Sequence, residues 1–113
     1  MTHWIEFTKQ RLSEVPPAIL GVFQLSRDGE TVHCVGRSDE DLHAELSKFL
    51  DSGYRFFQWQ KLPWAKEAYE MQCRLFHHAG GAGKLDNSEH PFPPEGHAWA
   101  CRMSYKPAAV CDL

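Results

Sequence analysis

Residues 18–36 read Ala18-Ile19-Leu20-Gly21-Val22-Phe23-Gln24-Leu25-Ser26-Arg27-Asp28-Gly29-Glu30-Thr31-Val32-His33-Cys34-Val35-Gly36. The first eight are short and apolar, bounded by Pro16-Pro17 and a polar turn, which predicts a strand over 18–25. Asp28-Gly29 is a pair favoured in hairpin turns, where a positive φ is needed. The stretch 31–36 then predicts the returning strand, antiparallel to the first.

Working outward, Ser38-Asp39-Glu40-Asp41 has the form of a capping box, with Ser38 as the cap. Leu42, Leu46, Phe49 and Leu50 follow at helical spacing, and Gly53 suits the left-handed position that ends a helix. Residues 54–60, Tyr54 to Gln60, are aromatic-rich and predict a third strand. Residues 65–78 carry a strong helical pattern stopped by Gly80-Gly81. Upstream, Trp4, Ile5, Phe7 and Leu12 suggest a short amphipathic helix within 2–13, ending before the proline pair. From residue 88 the prolines at 91, 93, 94 and 107 oppose long elements. That tail is expected to wrap the core, because Phe92, Trp99 and Tyr105 need burial. The order predicts one α+β domain over 1–113, with its core at 18–87: a three-stranded antiparallel sheet flanked by helices, with an irregular Pro-rich tail.

Composition narrows the function. The chain has 113 residues, 42% of them hydrophobic and 24% charged, which fits a single globular core. A net charge of −3 makes strong nonspecific binding to nucleic acid a poor fit. No apolar run is long enough to span a membrane, and the first residues lack the features of a signal peptide. A cytoplasmic protein with no membrane partner is expected, its four cysteines reduced thiols or metal ligands.

The hairpin carries a family resemblance. Gly21-Val22-Phe23 and Cys34-Val35-Gly36 resemble the paired tripeptides of the GIY-YIG nuclease superfamily. Arg37-Ser38 ahead of a capped helix, the third strand, the helix at 65–78, and Asn87 after a leucine and an aspartate follow the family's order. The tail from His90-Pro91 to Cys101 resembles the ending of a small subgroup of such proteins. In active members a tyrosine from each tripeptide, an arginine on the first helix and a glutamate holding a divalent cation such as Mg²⁺ hydrolyse a phosphodiester. The resemblance places Phe23 and Cys34 at the tyrosines, Glu45 near the arginine, and Gln72 at the glutamate. Arg37 or Lys48 would compensate for Glu45 only in part. Gln72 is a poor ligand for a hard cation. Glu70 would substitute if the helix were shifted by two residues, but two residues rotate a helix by about 200°, away from one shared cleft. The resemblance therefore implies a nuclease fold without its chemistry, binding a nucleic-acid or protein partner. A divergent metal-dependent endonuclease is the alternative.

Other constellations compete with plainer readings. Cys73 and His77 share a helix face, and Cys101 with His90 or His97 would complete a Zn²⁺ site. The plainer reading makes Cys73 a buried apolar residue and His77 a favourable cation at the helix C-terminus. His33 and Cys34 are strand neighbours and point to opposite faces, whereas His43 could approach Cys34 from the first helix. Tyr54, Phe57 and Trp59, with Arg55 and Lys61, could stack on single-stranded bases. Phe57 and Trp59, two apart, equally line the core face of a strand. Gly80-Gly81-Ala82-Gly83-Lys84 follows a helix instead of preceding one, so it is no phosphate loop.

Overall fold

The structure is a computed structural model, described here for residues 3–87 and 91–93. Its elements run β1 (Ile5–Glu6), α1 (Lys9–Leu12), β2 (Gly21–Ser26), β3 (Cys34–Ser38), α2 (Leu42–Ser47), β4 (Phe56–Lys61) and α3 (Ala65–His78). A 3₁₀ turn at Gly81–Gly83 follows α3. All pairings are antiparallel, in the order β1-β4-β2-β3. The fold is α+β, a four-stranded sheet with three helices.

The fourth strand corrects the expectation of three. Ile5 pairs with Phe57 and Glu6 with Phe56, and the Phe7 N–H reaches the Arg55 carbonyl at 2.8 Å. The apolar residues read as the start of a helix instead close an edge of the sheet. Only one turn of helix remains, begun where Thr8 Oγ1 accepts from the Arg11 N–H at 3.1 Å.

The hairpin register sets the rest. Phe23 lies opposite Gly36, and Leu25 opposite Cys34. The connection spans 27–33, longer than a tight turn. Asp28 Oδ1 accepts from the N–H groups of Glu30 and Thr31, both at 2.8 Å, and Gly29 takes φ +76. These backbone bonds hold the Asp28 carboxyl far below its usual range. β3 consequently starts at Cys34, not Thr31. Gly21 and Gly36 both sit where the backbone is closely approached. A Cβ on Gly36 would stand 2.2 Å from Phe23 Cζ, and one on Gly21 would stand 2.1 Å from the Gln60 carbonyl oxygen.

Two further boundaries move. The cap of α2 is Asp41, whose carboxylate accepts from the Ala44 N–H, while Ser38 Oγ accepts from the N–H groups of Glu40 and Asp41 one turn earlier. Helix α2 stops at Ser47, and turns carry the chain to Gly53 at φ +93. Helix α3 has the bounds its pattern predicts.

Each face of the sheet is covered differently. On the front face Phe23, Leu25, Cys34 and Phe57 pack with Phe7, Leu12, Val15, Leu42 and Leu46, and Trp59 lies against the same cluster. Phe57 is fully buried, so the core-face reading holds for it and base stacking does not. On the back face α3 brings Ala68 to Val22 and Leu62, and Phe76 to Val35 and Leu85. Among the described tail residues Phe92 is 55% exposed, against the expectation that it is buried. Trp99, Tyr105, Cys101, His90 and His97 lie outside the described residues. No helix among the described residues is long and apolar enough to cross a membrane.

Candidate functional site

The residues singled out by the sequence do not meet in one cleft. Strand alternation explains the division: Cys34 and Arg37 are three apart, so they leave β3 on opposite faces. Phe23 and Cys34 are on the front, Arg37 and Gln72 on the back, and Glu45 and Glu70 stand apart from both pairs.

On the front, Phe23 is 1% exposed, its ring tilted against Phe49 at 5.6 Å between centroids. Cys34 is buried beneath Tyr54, and that burial pushes its thiol up to about 11, so it is protonated at neutral pH. Burial also raises the Tyr54 phenol, whose hydroxyl donates to Asp86 Oδ2 at 2.6 Å. Arg27 grips the same carboxylate through both terminal nitrogens, at 2.6 and 3.1 Å, and its guanidinium lies 5.4 Å from the Tyr54 ring centroid. The bonds from Arg27, then Tyr54, hold Asp86 down at about 2. His33 faces away from Cys34, its Nδ1 accepting from the Arg27 N–H at 3.0 Å. His43 does not approach the thiol either: its Nδ1 donates to the Val15 carbonyl at 2.8 Å. The front cluster is a latch that fastens the segment after α3 to the hairpin.

On the back, Arg37 donates to Gln72 Oε1 at 2.6 Å and to the two oxygens of Asp39 at 3.0 and 3.3 Å. Its guanidinium sits 5.3 Å from the Tyr69 ring centroid, with the side chain 11% exposed. Tyr69 and Cys73 lie side by side on α3, and burial raises both groups. Next to this cluster Gln24 and Gln58 bond to each other across β2 and β4 at 2.9 Å, both buried. Gln72 faces the sheet, while Glu70 lies on the outer flank of α3 beside Glu67, Met71 and Arg74. Glu45 pairs with Lys48 at 3.1 Å on the surface of α2.

For a metal, the described residues contain no group of three or more His, Cys, Asp or Glu side chains able to hold one. Cys73 is buried beside Tyr69, and His77 sets its ring edge-on to Phe76 at 5.7 Å. Burial lowers the His77 pKa, which favours the neutral ring over the helix-capping cation expected from sequence. Cys101, the third expected ligand, is outside the described residues.

No sequence pattern marks Tyr54, Asp86 and Arg27 as a unit, or Asp39 and Tyr69 as partners of Arg37. One signal was present, in Leu85-Asp86-Asn87. The Asn87 side chain accepts from the Val35 N–H at 2.9 Å and donates to the Val35 carbonyl at 2.7 Å, while the Asp86 N–H bonds the His33 carbonyl at 2.7 Å. These two residues act as a substitute strand on the free edge of β3. In comparisons with protein-family models, curated proteins and solved structures, nothing matches this chain.

Proposed function

We propose that this chain is a GIY-YIG-like domain without nuclease chemistry, serving as a noncatalytic binding module for a protein partner. The observation that carries the reading is the state of Arg37. A guanidinium that stabilises phosphoryl transfer must present its donors to developing charge. Those of Arg37 are engaged by Asp39 and Gln72, and its face is against Tyr69.

The other positions support the same conclusion. Phe23 has no hydroxyl and is buried, Cys34 is a protonated thiol, and Glu45 is paired with Lys48. Gln72 offers an amide where a hard cation favours carboxylate. The family likeness itself draws support from the central place of β2 between β3 and β4, from Phe23 lying opposite Gly36, and from Asn87 on the edge of β3. A protein partner is favoured over nucleic acid by the net charge of −3 and by Trp64, which is 66% exposed. The endonuclease alternative would need Glu70 and the Arg37 pair in one cleft, and Glu70 projects from the other flank of α3.

Incubating the protein with plasmid and branched DNA in Mg²⁺ or Mn²⁺ tests the reading. Cleavage no faster than that of an Arg37→Ala variant is expected. Turnover that requires Arg37 would end it.

A further inference from the structure

The segment that leaves α3 grips β3 on three sides with three consecutive residues. Leu85 is buried on the back face with Val35 and Phe76. The Asp86 carboxylate reaches the front, where it accepts from the Tyr54 hydroxyl at 2.6 Å and from both terminal nitrogens of Arg27. Asn87 closes the edge between them through the Val35 N–H and carbonyl, at 2.9 and 2.7 Å. Neighbouring Cα atoms are only about 3.8 Å apart along a chain, so none of these grips can travel far without dragging the other two. They hold or release together.

The hold is light beside what surrounds it. The Arg27–Asp86 pair is half exposed, and ion pairs of that kind contribute little in water. The Asn87 bonds come from one side chain, whereas on its other side β3 is paired with β2 over five registered residues. Upstream, Gly80 and Gly81 take φ +102 and +73, and Gly83 has open space where a Cβ would stand. Glycines regain more backbone freedom on release than any other residue. A lightly held segment, jointed at glycines and laid against a continuous sheet, is the kind of unit that opens at a lower free energy than global unfolding.

We propose that residues 84–87 form a strap that swings off β3 as one unit on the Gly80–Gly83 turn while the sheet stays paired, uncovering the β3 edge and the Cys34 thiol together. The edge is uncovered because Asn87 leaves Val35. The thiol is uncovered because Cys34 lies beneath Tyr54, whose hydroxyl loses the carboxylate that fixes it. Such a strap is independent of whether the domain binds a partner or cuts DNA.

The test is alkylation of the full chain with iodoacetamide at several urea concentrations below the unfolding transition, read by peptide mass mapping. Cys73, buried against Tyr69 on the other side of the sheet, is the reference for global unfolding. Cys34 is expected to label slowly, at a rate that scarcely changes with urea, while the Cys73 rate rises steeply. Exchange of the Val35 amide should share the shallow dependence of Cys34. Asn87→Ala should speed Cys34 labelling about tenfold by removing the edge grip. Gly83→Ala should slow it about two- to fivefold by stiffening the turn. Gly83 lies outside all three grips, so that variant reaches the thiol only through the strap, and it decides the matter should Asn87→Ala not fold. Equal urea dependence at Cys34 and Cys73 would overturn the proposal, since opening would then be global. So would a Val35 amide with the steep dependence of Cys73, or a Cys34 rate that Gly83→Ala leaves unchanged.

Discussion

The ring of Phe23 lies across Gly36 so closely that a methyl group on the glycine would stand 2.2 Å from Cζ. Gly36→Ala should therefore destabilise the fold by about 1–3 kcal/mol, the usual penalty for overpacking a core. Phe23→Leu in the same background should return part of that loss, with a coupling of more than about 0.5 kcal/mol in a denaturation double-mutant cycle. Additive losses would mean that the ring and the glycine do not meet. At Cys34 the expected outcome is chemical. A thiol pushed up to about 11 by burial should resist alkylation at pH 7.5 in the folded chain and react once denaturant is added, as read by peptide mass mapping. Rapid labelling of folded Cys34 would show that the thiol is not held beneath Tyr54.

Among the elements, β3 forms one edge of the sheet, and edges invite unwanted pairing. Asn87 closes it at Val35. Asn87→Ala should cost about 2 kcal/mol, since two partly buried backbone groups lose their partners. It should also raise hydrogen exchange at the Val35 amide well above that of its neighbours on β2. Uniform protection in the variant would contradict that role. How far these elements could be read from the sequence follows from how local their causes are. Helix α3 and the hairpin were legible, because a 3.6-residue pattern and a central apolar run state their own periods. β1 was not, because Ile5 and Phe7 become strand and core residues only through Phe57 and Arg55, far along the chain. The Ser38 cap was misread since Asp39, Glu40 and Asp41 all offer local acceptors and only tertiary packing selects Asp41. The site was half legible. Arg37 and Gln72 do come together, yet the separation of three between Cys34 and Arg37 already placed those two on opposite faces. Asp39 and Tyr69, which neutralise and cover Arg37, had no pattern to reveal them.

At the scale of the molecule, the latch of Arg27, Tyr54 and Asp86 joins the hairpin to the segment that leaves α3. Asp86 is depressed to about 2 in the folded state, below the ordinary carboxyl value of 3.8. Its contribution to stability is thus present above about pH 4 and is lost as pH falls toward 2. Asp86→Asn should flatten that part of the acid-denaturation curve and lower stability by about 1 kcal/mol at neutral pH. His77 acts in the same direction at milder pH. Its folded pKa is lowered, so the unfolded chain binds the proton more readily and stability falls as pH drops below about 6.5. The central claim is that Arg37 is engaged inside the fold by Asp39, Gln72 and Tyr69 and not presented to a phosphate. The most direct measurement is the ¹⁵N–¹H signal of the Arg37 guanidinium, recorded with and without DNA and Mg²⁺. The account predicts a resolved, slowly exchanging Nε–H signal that neither addition moves. A shift of that signal that saturates with DNA would contradict it.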